Sequence, residues 1–306
     1  MKYDKLLSKI EEYDSIVIHR HKRPDMDALG CQLGLKHILE ATYPHKSIYV
    51  VGNDTNDIVT EDMDIVDDLL YTDILAIIVD SGATHLIDDD RYNNAKHIMN
   101  IDHHQQQKPY GDTHHVDTSK ASCCSIIIDM CIESNLIMTK KASEYLFMGL
   151  VTDSGRFLYS SVTSDTFKYV QYLLTFDIDI NELYLRLYKS SLDAKRLHGY
   201  VLSHFVVDEK VAYIKFFDFD VERFNTDIGY LKSGTINLMS NIENIPIWAT
   251  FTEGDGMIYV EIRGNIDVIS VAKKYGGGGH NKACGAAVKD WHEVSRVIHD
   301  LNMLVK

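Results

Sequence analysis

Aspartate and histidine residues cluster at four places in the first half of the chain, each where a predicted strand or helix ends. In chain order these clusters are His21 with Asp25 and Asp27, then Asp80, then Asp102 with His103 and His104, and finally Asp153. Carboxylate oxygens and imidazole nitrogens suit a hard divalent ion, whereas structural zinc would favour thiolates. Since no Cys-x-x-Cys pair accompanies them, these residues favour Mn²⁺ or Mg²⁺, and their number is sufficient for a two-metal site.

Each of these residues also has an ordinary structural explanation. An aspartate at the end of a strand commonly caps the following helix, and a single histidine is usually a surface residue. These explanations are weak for all clusters together, because the clusters recur at successive element ends. We therefore expect one shared site.

The elements that must position these residues are short β-rich runs alternating with helical patterns. We predict strands at 15–19, 47–51, 74–80 and 97–104, with helices near 26–42, 61–70 and 84–92. This rhythm predicts an α/β domain with a parallel sheet that is covered on both faces. The carboxyl ends of its strands should gather the functional groups.

From residue 121 onward, the pattern of apolar residues changes. The stretch 121–185 reads as helical and completes the first domain, whereas 205–217 and 247–263 read as strands, the latter with a Gly-Asp-Gly hairpin signal. We therefore predict a first domain at 1–187, a linker at 188–196 and a smaller α+β domain at 197–306, built on antiparallel hairpins.

Composition narrows the class of protein. The chain has 306 residues, and its formal net charge of −14 is the wrong sign for binding a long polyanion. It has no apolar run long enough to span a bilayer and no signal-like start, so we expect a cytoplasmic protein without a membrane partner. The five cysteines are predicted to be reduced.

A glycine-rich segment near the C-terminus is a second candidate site. Four glycines, Gly276, Gly277, Gly278 and Gly279, precede His280, and Arg263 lies upstream. Consecutive glycines let the backbone approach a phosphate closely, and His280 and Arg263 could add charge-assisted hydrogen bonds. Without its context, a flexible turn is an equally good explanation.

The order of these motifs resembles the DHH-DHHA1 phosphoesterase superfamily, and within it the nanoRNase and pAp-phosphatase branch. The motifs are HRHKRPDMDALG, VDSG, IDHH, GLVTDSGRF and GGGGH, in that order. The resemblance covers nearly the whole chain. It implies a parallel-sheet DHH domain with flanking helices and a smaller DHHA1 domain, with the active site in the cleft between them.

The resemblance also implies roles for individual residues. His21 and Asp25 would bind one metal ion, Asp27, His103 and Asp153 the other, and Asp80 would bridge both. Asp102 would orient the histidine pair, and His104 would face the substrate phosphate or a metal-bound water. In the DHHA1 domain, Gly277, Gly278, Gly279 and His280, with Arg263, would hold the terminal phosphate or nucleotide of the substrate.

Other polar residues near these motifs have less specific interpretations. Arg156 is within reach of the same crevice, so it could bind substrate or form a salt bridge at the domain interface. We interpret His114 and His115 as part of a solvated loop, with a lid as the alternative, and His19 as a residue behind the metal ligands. The acidic stretches 61–68 and 88–91 read as solvated helix faces.

The expected function is hydrolysis of phosphoesters by a hydroxide that bridges two metal ions, Mn²⁺ or else Mg²⁺. The substrates implied are short oligoribonucleotides, linear dinucleotides such as pApA, and pAp, with no long nucleic acid and with a homodimer as a common assembly in the family. The alternatives are a cyclic-dinucleotide phosphodiesterase, a manganese inorganic pyrophosphatase, and a nucleotide-binding regulator without turnover.

Overall fold

The computed structural model describes residues 2–53, 56, 58–106 and 108–305. They form two compact units, Met1–Lys189 and Ser190–Lys306. The segment 188–196, which we expected to be a linker, consists mostly of helix ends, and only residues 189–191 lie outside helices.

The first unit contains six α-helices and five strands in the described residues. In chain order they are α1 (Asp4–Glu12), β1 (Ser15–His19), α2 (Met26–Thr42), β2 (Ser47–Val50), β3 (Leu75–Val79), β4 (His97–Asp102), β5 (Thr113–Val116), α3 (Cys123–Ser134), α4 (Lys140–Asp153), α5 (Ser164–Leu174) and α6 (Ile180–Tyr188).

The five strands form one sheet in the order β2-β1-β3-β4-β5, and every pairing is parallel. Alternate strand residues point to opposite faces and both faces are buried, which explains the nearly continuous apolar runs. On one face, Ile16 and Ile77 pack in the core with the helices. On the other, Val17 and Ile78 pack with Tyr71 in a separate cluster. The predicted α/β class and the parallel sheet are confirmed.

Two of the predicted helices are wrong. Residues 61–67 form no helix, and a 3₁₀-helix follows at Asp68–Asp73. Here Asp64 accepts a hydrogen bond from the Val50 amide at 2.8 Å, so this segment follows the edge of the sheet. The region 84–92 forms two short 3₁₀-helices, Thr84–Leu86 and Asp90–Asn94, and Asp89 caps the second of them by accepting from the Arg91 amide.

The polar run around His114 and His115 is a strand, not the loop we predicted. Both residues belong to β5, and they pair with Asn100 and Ile101 of β4. This strand lies at the edge of the sheet with one neighbour, so its side chains need not be apolar, and the sequence signal was correspondingly weak.

The second unit contains six strands and four α-helices in the described residues. They are α7 (Leu192–His204), β6 (Val206–Asp208), β7 (Val211–Phe216), α8 (Phe219–Arg223), β8 (Ile247–Gly254), β9 (Met257–Gly264), α9 (Ile269–Lys274), β10 (Gly278–His280), β11 (Ala283–Val288) and α10 (Trp291–Met303).

These strands form a sheet in the order β10-β11-β9-β8-β7-β6. The predicted hairpin joins β8 to β9, and Asp255 and Gly256 at its turn have the positive φ angles of 55° and 74° that such turns require. The pair β7 and β8 is parallel, so the sheet is mixed and not built on antiparallel hairpins alone.

Across both units, the part of the chain that the structure describes has no helix long and apolar enough to cross a membrane.

Candidate active site

The carboxyl ends of β1, β3 and β4 place the predicted metal ligands at one edge of the parallel sheet. His21 and Asp25 follow β1, Asp80 follows β3, and His103 follows β4. This is the edge at which open parallel sheets bind ligands.

One group of ligand atoms is formed by His21, Asp25 and Asp80, which lie within 4.8 Å of one another. His21 Nε2 is 3.7 Å from Asp80 Oδ2 and 3.9 Å from Asp25 Oδ1. The other ring nitrogen, Nδ1, donates to the Lys22 carbonyl at 2.8 Å. That hydrogen bond fixes the tautomer that leaves Nε2 as the ligand.

A second group is formed by Asp27, His103 and Asp153, whose ligand atoms also lie within 4.8 Å of one another. His103 Nε2 is 3.8 Å from Asp27 Oδ2 and 3.4 Å from Asp153 Oδ2. It is also 3.5 Å from Asp80 Oδ1. Asp80 therefore contacts both groups, one through each carboxylate oxygen.

The close packing of α2 against α4 brings Asp153 to this site from the far end of its helix. A Cβ on Gly30 would lie 2.6 Å from the Tyr145 carbonyl oxygen, and one on Gly149 would lie 2.8 Å from the Met26 carbonyl oxygen. The helices approach this closely only because both positions are glycine. As a result, the last residue of α4 lies beside the first turn of α2, which carries Asp27.

Asp80 is the most unusual residue of the site. Its backbone is left-handed, with φ of 52°, and its side chain is almost fully buried. The Oδ1 atom is buried and has no hydrogen-bond partner among the described atoms. Burial and the charge of Asp27 raise the pKa of Asp80 to about 7. An unpaired buried carboxylate oxygen is costly, and a bound cation would remove that cost.

The pKa values of the neighbouring ligands are also shifted by burial and by nearby charges. Burial and the charge of Asp27 raise the pKa of Asp153 to about 7. Burial alone would lower the pKa of His21, but its contacts with Asp25 and Asp80 raise it to about 10. Three or four carboxylates at this separation repel one another unless protons or cations lie between them. The donor atoms therefore fit two hard divalent ions that share Asp80.

Asp102 orients His104 but does not orient the ring of His103. Its carboxylate accepts the His104 Nδ1 proton at 2.9 Å and both backbone amides of the pair, at 2.8 and 3.1 Å. The ring of His103 instead contacts the Lys120 carbonyl, 3.4 Å from Nδ1. The hydrogen bond with Asp102 raises the pKa of His104 to about 9.

A pocket of about 820 Å³ opens beside the first ligand group. His104 lines it, together with Leu86, Lys108 and Tyr110. We did not predict these last three residues from the sequence. They follow β3 and β4, so the rule that predicted the ligands could also have found them.

His19 departs from the sequence interpretation. His19 lies on the opposite face of the sheet, where its ring contacts Tyr71 and Tyr92, and it is not behind the metal ligands. Burial lowers its pKa to about 4. Arg156 is exposed and lies over the ring of Tyr188, 5.2 Å from its centroid.

In the second unit, the register of three strands aligns the predicted phosphate-binding residues. His280 of β10 pairs with Ala283 of β11, which pairs with Arg263 of β9. Directly paired residues project from the same face, so His280 and Arg263 flank the small Ala283 side chain. Arg263 is also ion-paired with Glu261 at 3.2 Å, a contact that a phosphate would have to replace or share.

Packing requires glycine at some positions of this segment and not at others. Gly277 and Gly279 are packed against β11, because a Cβ would lie 2.0 Å from the Gly285 carbonyl oxygen or 2.7 Å from that of Ala283. A Cβ on Gly278 would meet nothing within 4 Å, and its φ is not positive. The described fold therefore gives no reason for glycine at position 278.

Comparison with known proteins identifies both units. The model of the DHH family, N-terminal domain, matches residues 15–150, and that of the DHHA1 domain matches residues 224–306.

Among curated proteins, a bifunctional oligoribonuclease and PAP phosphatase NrnA from Bacillus subtilis (strain 168) is 37% identical, and the alignment covers 98% of each chain. The protein of the same name from Mycoplasma genitalium is 32% identical over 96% of this chain and 95% of its own. Among solved structures, an exopolyphosphatase-related protein from Bacteroides fragilis superposes with a TM-score of 0.84 at 25% identity, covering 98% of this chain and 94% of that one. With two family models in the predicted order and relatives similar over nearly their whole length, this chain belongs to the DHH-DHHA1 family.

Proposed function

We propose that the protein is a metal-dependent phosphoesterase that hydrolyses short oligoribonucleotides to mononucleotides and removes the 3′-phosphate of pAp. The observation that carries this proposal is the position of Asp80 between two groups of carboxylate and imidazole ligands, with one oxygen facing each group. The names of the full-length relatives supply the substrate class.

In this proposal His21 and Asp25 hold one divalent ion, Asp27, His103 and Asp153 hold the other, and Asp80 holds both. Mn²⁺ is our preferred metal because the site combines imidazoles with carboxylates, whereas Mg²⁺ prefers oxygen ligands and water. Two such ions, when bound, lower the pKa of a water molecule and offset negative charge on the phosphate.

The chain's own groups position the substrate. His104, held by its hydrogen bond with Asp102, lines the pocket beside the ligands and can contact a phosphate oxygen there. His280 and Arg263 can hold a second phosphate, and the open surface above Gly278 allows the ligand to approach the backbone. Because the chain's net charge is −14, binding depends on these local groups and on metal ions.

The direct test is product analysis of the purified protein with Mn²⁺, using pAp, a 5′-phosphorylated diribonucleotide and a long RNA in parallel. We expect AMP from pAp and mononucleotides from the dinucleotide, with far slower attack on the long RNA. Fast hydrolysis of only pyrophosphate or only a cyclic dinucleotide would overturn the substrate assignment. Nucleotide binding without hydrolysis of any substrate would instead identify a regulator.

A further inference from the structure

A group of thiols lies beside Asp27, and the proposed reaction uses none of them. One carboxylate oxygen of Asp27, Oδ2, is 3.8 Å from the ring of His103. The other, Oδ1, is 3.8 Å from Cys31 Sγ. Asp27 therefore faces a hard ligand group through one oxygen and a sulfur group through the other.

The sulfur group is compact and buried. Cys31 Sγ and Cys124 Sγ are 3.4 Å apart, and the ligand atoms of Asp27, Cys31 and Cys124 all lie within 4.8 Å of one another. The exposed fractions are 0% for both cysteines and 1% for Asp27. Both cysteines are free thiols. A third thiol, that of Cys123, is next in sequence and donates to the Ile101 carbonyl at 3.3 Å.

This arrangement matches what a thiophilic cation requires. Two sulfurs that bind one Zn²⁺ ion tetrahedrally, with Zn–S bonds near 2.3 Å, lie roughly 3.8 Å apart. The observed separation of 3.4 Å is slightly shorter, so the two sulfurs would have to move apart by about 0.4 Å to hold an ion. Zn²⁺ and the softer Cd²⁺ both prefer such thiolates to the carboxylates and imidazoles of the neighbouring site.

The N-terminus of α3 holds the carboxylate of Asp27 beside the thiols. Cys123 and Cys124 begin that helix, and their amides donate to Asp27 at 2.6 and 2.9 Å. These amides are already occupied by Asp27, and burial raises the pKa of the Cys31 and Cys124 thiols well above its usual value, so an ion must displace both thiol protons. The cation would replace two thiol protons, which leave to solvent, so that Cd²⁺ and two thiols give a dithiolate complex and two protons.

We propose that Cys31, Cys124 and Asp27 form a second cation site, selective for thiophilic divalent ions, and that its occupation inhibits the protein by withdrawing Asp27 from the proposed active site. Binding at the thiols is independent of the proposed function. Only the inhibition rests on it.

The test is an equilibrium titration of the full chain with Cd²⁺, followed by the ultraviolet charge-transfer absorption of Cd–thiolate bonds. Wild type should bind one Cd²⁺ with this absorption. Cys31→Ser and Cys124→Ser should weaken that binding at least about tenfold, since each removes a ligand. Cys131→Ser is the matched control, because that buried thiol donates to the Leu136 carbonyl and lies outside the group. Circular dichroism establishes that each variant is folded, and Cys31→Ala replaces Cys31→Ser if the latter is not.

Equal Cd–thiolate absorption in wild type and in folded Cys31 variants would overturn the site, as would its absence from wild type.

Phosphoesterase activity then tests the inhibition. Cd²⁺ should inhibit wild type in the presence of Mn²⁺, and Cys31→Ser should be at least about tenfold less sensitive relative to its own Cd²⁺-free rate. Equal sensitivity with the absorption lost would overturn the link to Asp27. If Cd²⁺-free wild type hydrolyses no substrate, the proposed function is wrong. The Cd²⁺ titration tests the thiol site independently of that result.

Discussion

At the residue scale, Asp80 connects the two ligand groups, and its own backbone is part of the arrangement. A left-handed aspartate costs on the order of 1 kcal/mol in conformational energy, and it is retained here at the end of β3. That conformation directs one carboxylate oxygen toward His21 and the other toward His103. A position that is both strained and buried is typical of functional sites.

The first prediction concerns this carboxylate. Asp80→Asn removes the charge shared by the two proposed ions, so kcat should fall by at least about 100-fold, equivalent to about 2.7 kcal/mol of transition-state stabilisation. The measurement is steady-state hydrolysis of pAp with Mn²⁺. Glu133→Gln, at an exposed position on α3, is the control and should behave as wild type. Activity in Asp80→Asn within a few fold of wild type would contradict the shared role.

The raised pKa values give a second prediction, the pH dependence of metal binding. In the metal-free protein, burial and like charge raise the pKa values of Asp80 and Asp153 to about 7, from 3.8. Mn²⁺ must displace these protons, so its affinity should rise between pH 6 and pH 8, and binding at pH 6 should release protons. Calorimetry in buffers of different ionisation enthalpy measures this release. Binding heats that do not depend on the buffer would contradict it.

The raised pKa values of Asp80 and Asp153 also determine how the stability of the metal-free protein changes with pH. A carboxyl whose pKa is raised by folding stabilises the folded chain below its unfolded pKa, and that contribution is lost as the pH rises through the folded pKa. The contribution of Asp80 and Asp153 to the stability of metal-free protein should therefore decline between about pH 4 and pH 7.

At the element scale, α3 is tied to its neighbours by a partly buried carboxylate. Asp129 accepts hydrogen bonds from Tyr3 at 2.7 Å, from Lys2 at 2.9 Å and from Tyr169 at 2.9 Å, which joins the N-terminal segment and α5 to α3. Burial opposes ionisation of Asp129, but these hydrogen bonds lower its pKa to about 2. The carboxylate thus helps to hold the helix whose N-terminus contacts Asp27.

Asp129→Ala should therefore lower the free energy of unfolding by about 2–3 kcal/mol, because it leaves the buried hydroxyl of Tyr3 without its acceptor. Urea denaturation measures this loss, with the exposed Glu133→Ala on the same helix as control. A depressed pKa stabilises above the unfolded value of 3.8 and stops doing so as the pH falls through about 2, so the difference from wild type should shrink at acid pH. A loss no larger than that of the control would show that the cluster is dispensable.

The glycine-rich strand β10 provides a matched pair of substitutions. Gly278→Ala adds a methyl group in open space, so the melting temperature should not change, whereas KM should rise about tenfold, or ~1.4 kcal/mol, if substrate approaches the backbone there. Gly279 has φ of 129° and would press a Cβ against Ala283, so Gly279→Ala should cost about 1–3 kcal/mol of stability. An unchanged KM in Gly278→Ala would contradict the phosphate-binding role.

The sequence predicted those strands whose apolar pattern matches their burial in the sheet. Strands β1, β3 and β4 are apolar because both faces of the sheet are buried, and the ligands after them follow from the parallel arrangement. Edge strand β5 and the 3₁₀ segments have no such periodicity. The contact between His103 and the Lys120 carbonyl joins residues 17 positions apart in the chain, and it could be identified only from the structure.

At the scale of the whole molecule, two separately packed units divide the expected tasks. The first carries every residue proposed as a metal ligand, and the second carries Arg263 and the glycine-rich strand. The net charge of −14 would repel an anionic substrate, and we expect bound cations at the carboxylates to offset that repulsion. A homodimer and a cytoplasmic location stay predictions of the sequence, and light scattering on the purified chain tests the first of them.

The most direct test of the central claim is the anomalous diffraction signal of manganese in crystals of the full chain grown with Mn²⁺. We predict two peaks that share the carboxylate of Asp80, one beside His21 and Asp25 and the other beside Asp27, His103 and Asp153. A single peak away from Asp80, or none in crystals of protein that hydrolyses pAp, would contradict the two-metal account.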